Sequence, residues 1–335
     1  MVLAGLTLLT LAGLLVSLGW GAVAIEPQQV VAILLHHLGL EPATAFTSQQ
    51  DAVLWSIRLP RALFALLAGA GLALSGVALQ AVLRNPLADP ALLGITGGAT
   101  LGVVTLVAGA GLVARWLHPL AGVVGALAVG LWLHRVARAG GGRSDTVTLI
   151  LAGVALQILL AAVVTIVIAV ARRPGLPDAT FWTLGTLSGA RWQDVCVAAP
   201  GVAAVLLLLV RLAPRLDLLL LGDAEARHLG VNTNATGLQV MALVALLTGV
   251  VVAYCGSVAF VGLVVPHLLR TLLGPGHRTL VTASALGGAA LLTWADAVAR
   301  NAISPLELPL GVLVTLVGGP LFFYLVGRSR RAGAW

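Results

Sequence analysis

Apolar runs long enough to cross a lipid bilayer make up most of this chain. Ten occur, at residues 3–24, 59–81, 92–113, 118–136, 147–171, 195–213, 236–255, 257–273, 279–298 and 308–327. A helix rises about 1.5 Å per residue, so roughly 20 residues cross a hydrocarbon core of about 30 Å. Composition excludes the soluble alternative. The chain is 59% apolar and 9% charged, where soluble domains average about 45–50% and about 25%. Twelve acids and nineteen bases cannot cover a 335-residue surface, so lipid is the solvent. Forty glycines suit helices whose backbones approach closely. The expected fold is all-α, a polytopic membrane protein of about ten transmembrane helices, with one transmembrane domain over residues 1–335 and no second soluble domain. The run at 257–273 is the weakest, because Pro266, His267 and Arg270 interrupt it. Broken helices are tolerated at depth where protein or a wet cavity satisfies the backbone. Residues 2–24 lack a basic leader, so a retained first helix is expected rather than a cleaved signal.

All nineteen bases are arginine, and their placement sets topology. With both termini inside, twelve arginines fall in cytoplasmic segments, among them Arg84, Arg135, Arg138, Arg211, Arg215, Arg227 and the tail Arg328, Arg330 and Arg331. Seven remain outside. The positive-inside rule therefore places both termini in the cytoplasm. The net charge of +7 is scattered between apolar runs, without the basic, aromatic-interleaved footprint of a nucleic-acid binder. Cys196 and Cys255 sit at or inside apolar runs, with no spacing that suggests a metal or a disulfide framework. No HExxH, GxSxG or Walker sequence occurs, so neither an enzyme nor a resident cofactor is expected, and the chain cannot hydrolyse ATP itself.

Four sets of residues stand out. In the longest internal segment, about 211–235, Asp223 can cap a short helix and Gly230 can end it. Gly222, Ala226 and Gly230 recur every four residues, which gives a helical turn a nearly bare face suited to a partner's groove; a capped loop helix without a partner fits equally well. Arg58 and Arg61, with Arg300, lie outside against the positive-inside trend. They can pair with acids of a partner protein or snorkel at the interface. The segment Arg84-Asn85-Pro86-Leu87-Ala88-Asp89-Pro90 reads as a structural, hydrogen-bonded turn. Two acids, Asp296 and Glu307, lie near the outer face. The i,i+4 spacing favours an Asp296–Arg300 pair over a proton relay.

These motifs, in this order, resemble the FecCD family of ABC importer permeases, which handle iron–siderophore complexes, haem and cobalamin. The resemblance rests on Arg58-Leu59-Pro60-Arg61, on Gly76 to Gln80 followed by Arg84 to Pro90, on Leu221-Gly222 through Gly230-Val231, on Phe260 to Pro266-His267, and on Glu307 to Gly311 through Gly319-Pro320. It implies the type II ABC importer permease fold in the inner (plasma) membrane, working as a homodimer with substrate crossing at the subunit interface. It implies two cytosolic ATPase subunits and a periplasmic substrate-binding protein. Residue by residue, Gly222, Ala226, Leu229 and Gly230 fall on the family's ATPase-coupling helix. Arg58, Arg61 and Arg300 fall on positions that dock the binding protein, and Thr146 falls on a cytoplasmic gate.

The segment Thr180 to Trp192 resembles the haem branch, so haem is the expected cargo, with ferric siderophore and cobalamin as alternatives. Residues 147–171 form the family's pathway helix, with Thr148, Gln157 and Thr165 its polar breaks. Arg172 and Arg173 at its outer end could attract anionic groups or simply end the helix. A self-sufficient secondary transporter or channel is the rival class. It would need mid-membrane acids, and the first eight runs hold essentially none.

Overall fold

The computed structural model describes residues 1–41, 44–110, 115–139, 146–171, 182–303 and 306–331. In chain order the helices are α1 (Val2–Gly19), α2 (Pro27–His37), α3 (Ser48–Val53), α4 (Leu59–Val82), α5 (Ile95–Ala110), α6 (Leu117–Ala139), α7 (Thr146–Ala171), α8 (Trp192–Leu219), α9 (Asp223–His228), α10 (Thr233–Cys255), α11 (Val261–Leu273), α12 (His277–Asn301) and α13 (Leu310–Arg331). Seven spans are long and apolar enough to cross a membrane, and three shorter apolar helices, Ile95–Ala110, Val261–Leu273 and Leu310–Phe323, join them. Each of the ten expected runs has its helix. The all-α expectation holds, and the described residues contain no strand.

α4 occupies the centre, and α1, α8, α10, α11 and α12 pack around it. α6 lies against α5 and α10, and α7 against the far side of α5. This order follows from glycine. A Cβ on Gly69 would overlap the Gly288 carbonyl of α12, and one on Gly76 would overlap the Gly262 carbonyl of α11. The same backbone-to-backbone approach joins Gly98 to Gly125 and Gly122 to Gly249. Lipid tails are as apolar as leucine, so close packing rather than a hydrophobic difference brings such helices together.

Three boundaries differ from the sequence reading. α1 stops at Gly19 rather than near residue 24, because Trp20 turns to extended backbone. The external stretch 26–57 is not mere loop. It folds into α2 and α3, and a π-turn at Leu54–Arg58 carries α3 directly into α4. There the Leu59 amide bonds Leu54 O, the wider register that lets Pro60, which has no amide proton, enter the helix. The run expected at 257–273 begins as helix only at Val261. Gly256 (φ 70°) and Phe260 (φ 69°) hold left-handed conformations that no helix contains. The irregular backbone between them is covered by protein. Thr186 donates to Cys255 O at 2.9 Å, and a Cβ on Gly185 would touch Ser257 O.

Overpacked helix contacts cost about 1–3 kcal/mol. Gly69→Ala and Gly288→Ala should each lower the unfolding temperature of the detergent-solubilised protein, while Gly201→Ala, which has nothing within 4 Å of the new methyl, should leave it unchanged or raise it. Equal behaviour of all three would refute the glycine-contact account.

Candidate functional site

The end of α4 assigned to the outside by the arginine distribution carries a buried ionic cluster. Arg61 is 5% exposed and reaches two carboxylates. Its Nε and Nη2 donate to Asp296 of α12 at 3.0 and 2.9 Å, and its Nη1 donates to Glu307 at 2.9 Å. Arg58 is 3% exposed. Its Nη1 donates to Leu18 O at 2.8 Å and to Gly19 O at 3.1 Å, and its Nη2 to Val23 O at 2.5 Å. Arg300 donates from Nη2 to Ser17 O and Trp20 O, both at 2.7 Å. Arg58 and Arg300 thus satisfy the carbonyls left open where α1 ends, as cations at a helix C-terminus do.

This corrects one sequence expectation. Asp296 pairs with Arg61, 235 positions away, instead of with Arg300 one turn along its own helix. The guanidinium groups of Arg58 and Arg61 are held by hydrogen bonds within the chain. An arginine flanked by apolar helix ends has more open carbonyls and acids to bond inside the protein than outside it.

A joint lies midway along the chain's motifs. Gly76 backs onto Gly262, and Gln80 Nε2 donates to Gly262 O at 3.1 Å. The Asp89 carboxylate accepts from the Ala91 amide at 2.8 Å and lies against Gly262 and the Leu263 amide, at the first turn of α11. A carboxylate suits a helix N-terminus. The Gly76–Gln80, Arg84–Pro90 and Phe260–His267 segments, separate in sequence, are one contact in space.

The opposite end of α4 meets α9. Gly222 (φ 115°), not Asp223, is the N-cap, with Asp223 as the first helical residue. Gly230 (φ 84°) ends the helix as expected: its amide bonds Arg227 O at 3.0 Å, and the Val231 amide bonds Ala226 O at 2.9 Å. Ala226 is fully buried, which corrects its assignment to a bare outer face. Its small side chain faces the chain's own core, and the large apolar side chains that α9 and its flanks expose are Leu220, Leu221 and Leu229. A cavity of about 410 Å³ opens beside them, lined by Arg227, Gly230, Val231, Asn232, Thr233 and Asn234.

α7 begins at Thr146. Thr148 and Thr165 are exposed, and Thr165 Oγ1 turns back to Ala161 O at 2.9 Å. Gln157 is half-buried, between α7 and α5. Its Oε1 is buried without a hydrogen bond and faces Gly97 of α5. Leu151, Ile158, Ile166 and Val170 are all more than half exposed, so α7 offers a broad apolar wall. Arg172 and Arg173 lie outside the described residues.

Sequence reasoning missed two polar groupings. Arg115 clasps the buried Asp194 through Nε (2.9 Å) and Nη2 (2.8 Å), and Asp194 also accepts from the Arg191 amide that opens α8. The acid three residues after Arg191 was the available signal, since it can accept from the amide that opens the helix. His37 stacks on Trp55 with ring centroids 3.8 Å apart and bonds Asp51 at 2.8 Å; nothing in sequence distance pointed to it. Among the described residues no His, Cys, Asp and Glu grouping could hold a metal.

Among the described residues, ten apolar helices, an irregular backbone ahead of α11 and a short helix after α8 make a multi-pass membrane subunit. The chain belongs to the FecCD transport family, whose pattern matches residues 9–328. It is 40% identical over 291 residues to the hemin transport system permease protein of Yersinia pestis, covering 85% of this chain and 86% of that one. It is 39% identical over 301 residues to the vitamin B12 import system permease protein of Vibrio cholerae, covering 90% of each. In three dimensions it matches an inward-facing metal-chelate type ABC transporter with a TM-score of 0.81 and 31% identity, over 97% of this chain and 98% of that one. The protein is an ABC importer permease and not an enzyme.

Removing one partner of a buried pair costs about 3–5 kcal/mol, because a charge is left uncompensated. Asp296, 1% exposed at its side chain, should therefore matter more than Glu307 at 34%. Thermal unfolding in detergent should show Asp296→Ala well below Glu307→Ala. The reverse order would contradict this geometry.

Proposed function

We propose that this permease carries haem from the periplasm into the cytoplasm across the inner membrane, working as a homodimer with two cytosolic ATPase subunits and a periplasmic substrate-binding protein. The uncovered apolar wall of α7 carries this reading. Two copies of that wall facing each other form a path between subunits that a flat, apolar porphyrin can traverse. A wall with so few polar atoms binds cargo weakly, as a translocator that must release it requires. Selectivity then falls mainly to the external binding protein. The hemin permease relative supports the cargo. Cobalamin is the second reading, because vitamin B12 permeases are similar to nearly the same extent.

In this reading both termini face the cytoplasm. Thr146 stands at the cytoplasmic gate, Thr148 and Thr165 line the path, and Arg172 and Arg173 draw the propionates to its entrance. The α9 region, with Gly222 and Gly230 shaping it and Leu229 exposed, meets the ATPases. Ala226 holds α9 to the chain's own core. Arg58, Arg61 and Arg300 mark the face that docks the binding protein, and they also fix the ends of α1 and α4.

The deciding experiment is uptake by proteoliposomes holding the full complex, offered haem, cobalamin or a ferric siderophore. Haem accumulation that needs ATP and the binding protein is the expected result; cobalamin uptake without haem uptake would transfer the assignment to the second reading. In the same preparation, Leu229→Glu should sharply reduce the ATPase subunits that co-purify. Full retention would remove α9 from the ATPase contact.

A further inference from the structure

α4 ends in a turn whose backbone asks for glycine and receives arginine. The Arg84 amide bonds Ala81 O at 3.3 Å and the Asn85 amide bonds Gln80 O at 3.1 Å. This paired closure requires the intervening residue to be left-handed, a conformation in which a Cβ crowds the backbone. Arg84 holds φ 49°. The chain makes the same turn twice more with the residue the geometry favours. Gly39 (φ 79°) closes α2, with its amide on His36 O and the Leu40 amide on Leu35 O. Gly230 (φ 84°) closes α9 in the same pattern. Only Arg84 and Phe260 among the described non-glycine residues have positive φ. Phe260 fills the space over Gly318 in the core, whereas Arg84 is about one-third exposed and fills no core space.

The Arg84 side chain instead reaches the first turn of α9. Nη2 lies 3.6 Å from Asp223 Oδ1, both side chains being about one-third exposed. Nη1 runs alongside Gly222, where a Cβ would lie 3.7 Å away, and the Glu225 carboxylate folds back over the same glycine. One cation just past the last turn of the central helix thus pairs with Asp223 at the first turn of the short helix, and Glu225 lies over the adjoining Gly222. α4 continues from there through the Gly76–Gly262 joint to the Arg61 cluster at its other end.

We propose that Arg84 is a positioning residue for energy coupling: it holds α9 to the end of α4, so that displacement of α9 by an ATPase subunit is delivered to the central helix. This rests on the reading of α9 as the ATPase contact. Backbone strain kept at an exposed position is explained by what the side chain does there. A tolerated but idle arginine would be improved by replacement with glycine.

That comparison is the test. Parent, Arg84→Gly, Arg84→Lys and the exchange Arg84→Asp with Asp223→Arg are reconstituted with the ATPase subunits and binding protein, and cargo moved per ATP hydrolysed is measured beside thermal unfolding. Arg84→Gly relieves the backbone and should unfold no lower than the parent. Yet its cargo per ATP should fall about two- to fivefold, the range that loss of one exposed ion pair allows. Arg84→Lys keeps the charge and should retain most coupling. The exchange, with aspartate tolerated at the left-handed position, should recover at least half the loss. Parent-like coupling in Arg84→Gly, lower thermal stability in that variant, or no recovery in the exchange would each overturn the proposal. Leu229→Glu separates the two layers. If that variant keeps its ATPase subunits, the reading of α9 fails and the proposal with it. If it loses them while Arg84→Gly couples normally, the Arg84 proposal alone fails.

Discussion

Lipid tails are as apolar as the side chains of these helices, so burying a leucine against a neighbouring helix gains little over leaving it in the bilayer. What remains to hold helices in register is contact close enough to engage backbone atoms. α4 supplies it twice on one side, through Gly69 against Gly288 and Gly76 against Gly262. Because α4 touches most of the other spans, the positions of α11 and α12 follow from these two points. α5, α6 and α10 form a second set joined by the same device at Gly98, Gly125, Gly122 and Gly249. The glycine content is the means by which a nearly featureless apolar sequence acquires one arrangement.

On this scaffold polar groups are few, and several of the buried ones bridge segments distant in sequence. Arg61 joins α4 to α12 and to Glu307 before α13. Arg58 and Arg300 complete the end of α1. Arg115 ties the start of α6 to α8, and Gln80 ties α4 to α11. α7 is the exception. It packs on α5 but leaves most of its length uncovered, and that asymmetry makes it the surface on which the transport reading depends.

The helical count and class were legible in the sequence because bilayer thickness fixes helix length and composition alone marks the spans. The glycine at 230 was legible for a similar reason: its left-handed cap depends on neighbours within one turn. What escaped were choices made across the fold. The local i,i+4 rule assigned Asp296 to Arg300, but Arg61 offers a forked partner in a site where Asp296 is buried, and no spacing reveals a residue 235 positions away. Ala226 was placed on an outer face because smallness serves equally to admit a partner's surface or the chain's own core; only burial tells them apart. Nor does spacing show that the half-buried Gln157 lies against Gly97 of α5.

The Arg61 cluster also constrains how the protein is made. Arg58 and Arg61 leave the ribosome long before Asp296 and Glu307 exist. At synthesis rates of about 5–20 residues per second, the wait is on the order of tens of seconds. Through that interval the Arg61 end of α4 carries a cation whose final neutralising partners have yet to be synthesised, beside surroundings where an unpaired charge is expensive. Until α12 arrives, water and lipid headgroups are what the Arg61 guanidinium can reach. A chain cut short before α12 keeps Arg61 without either of its carboxylates.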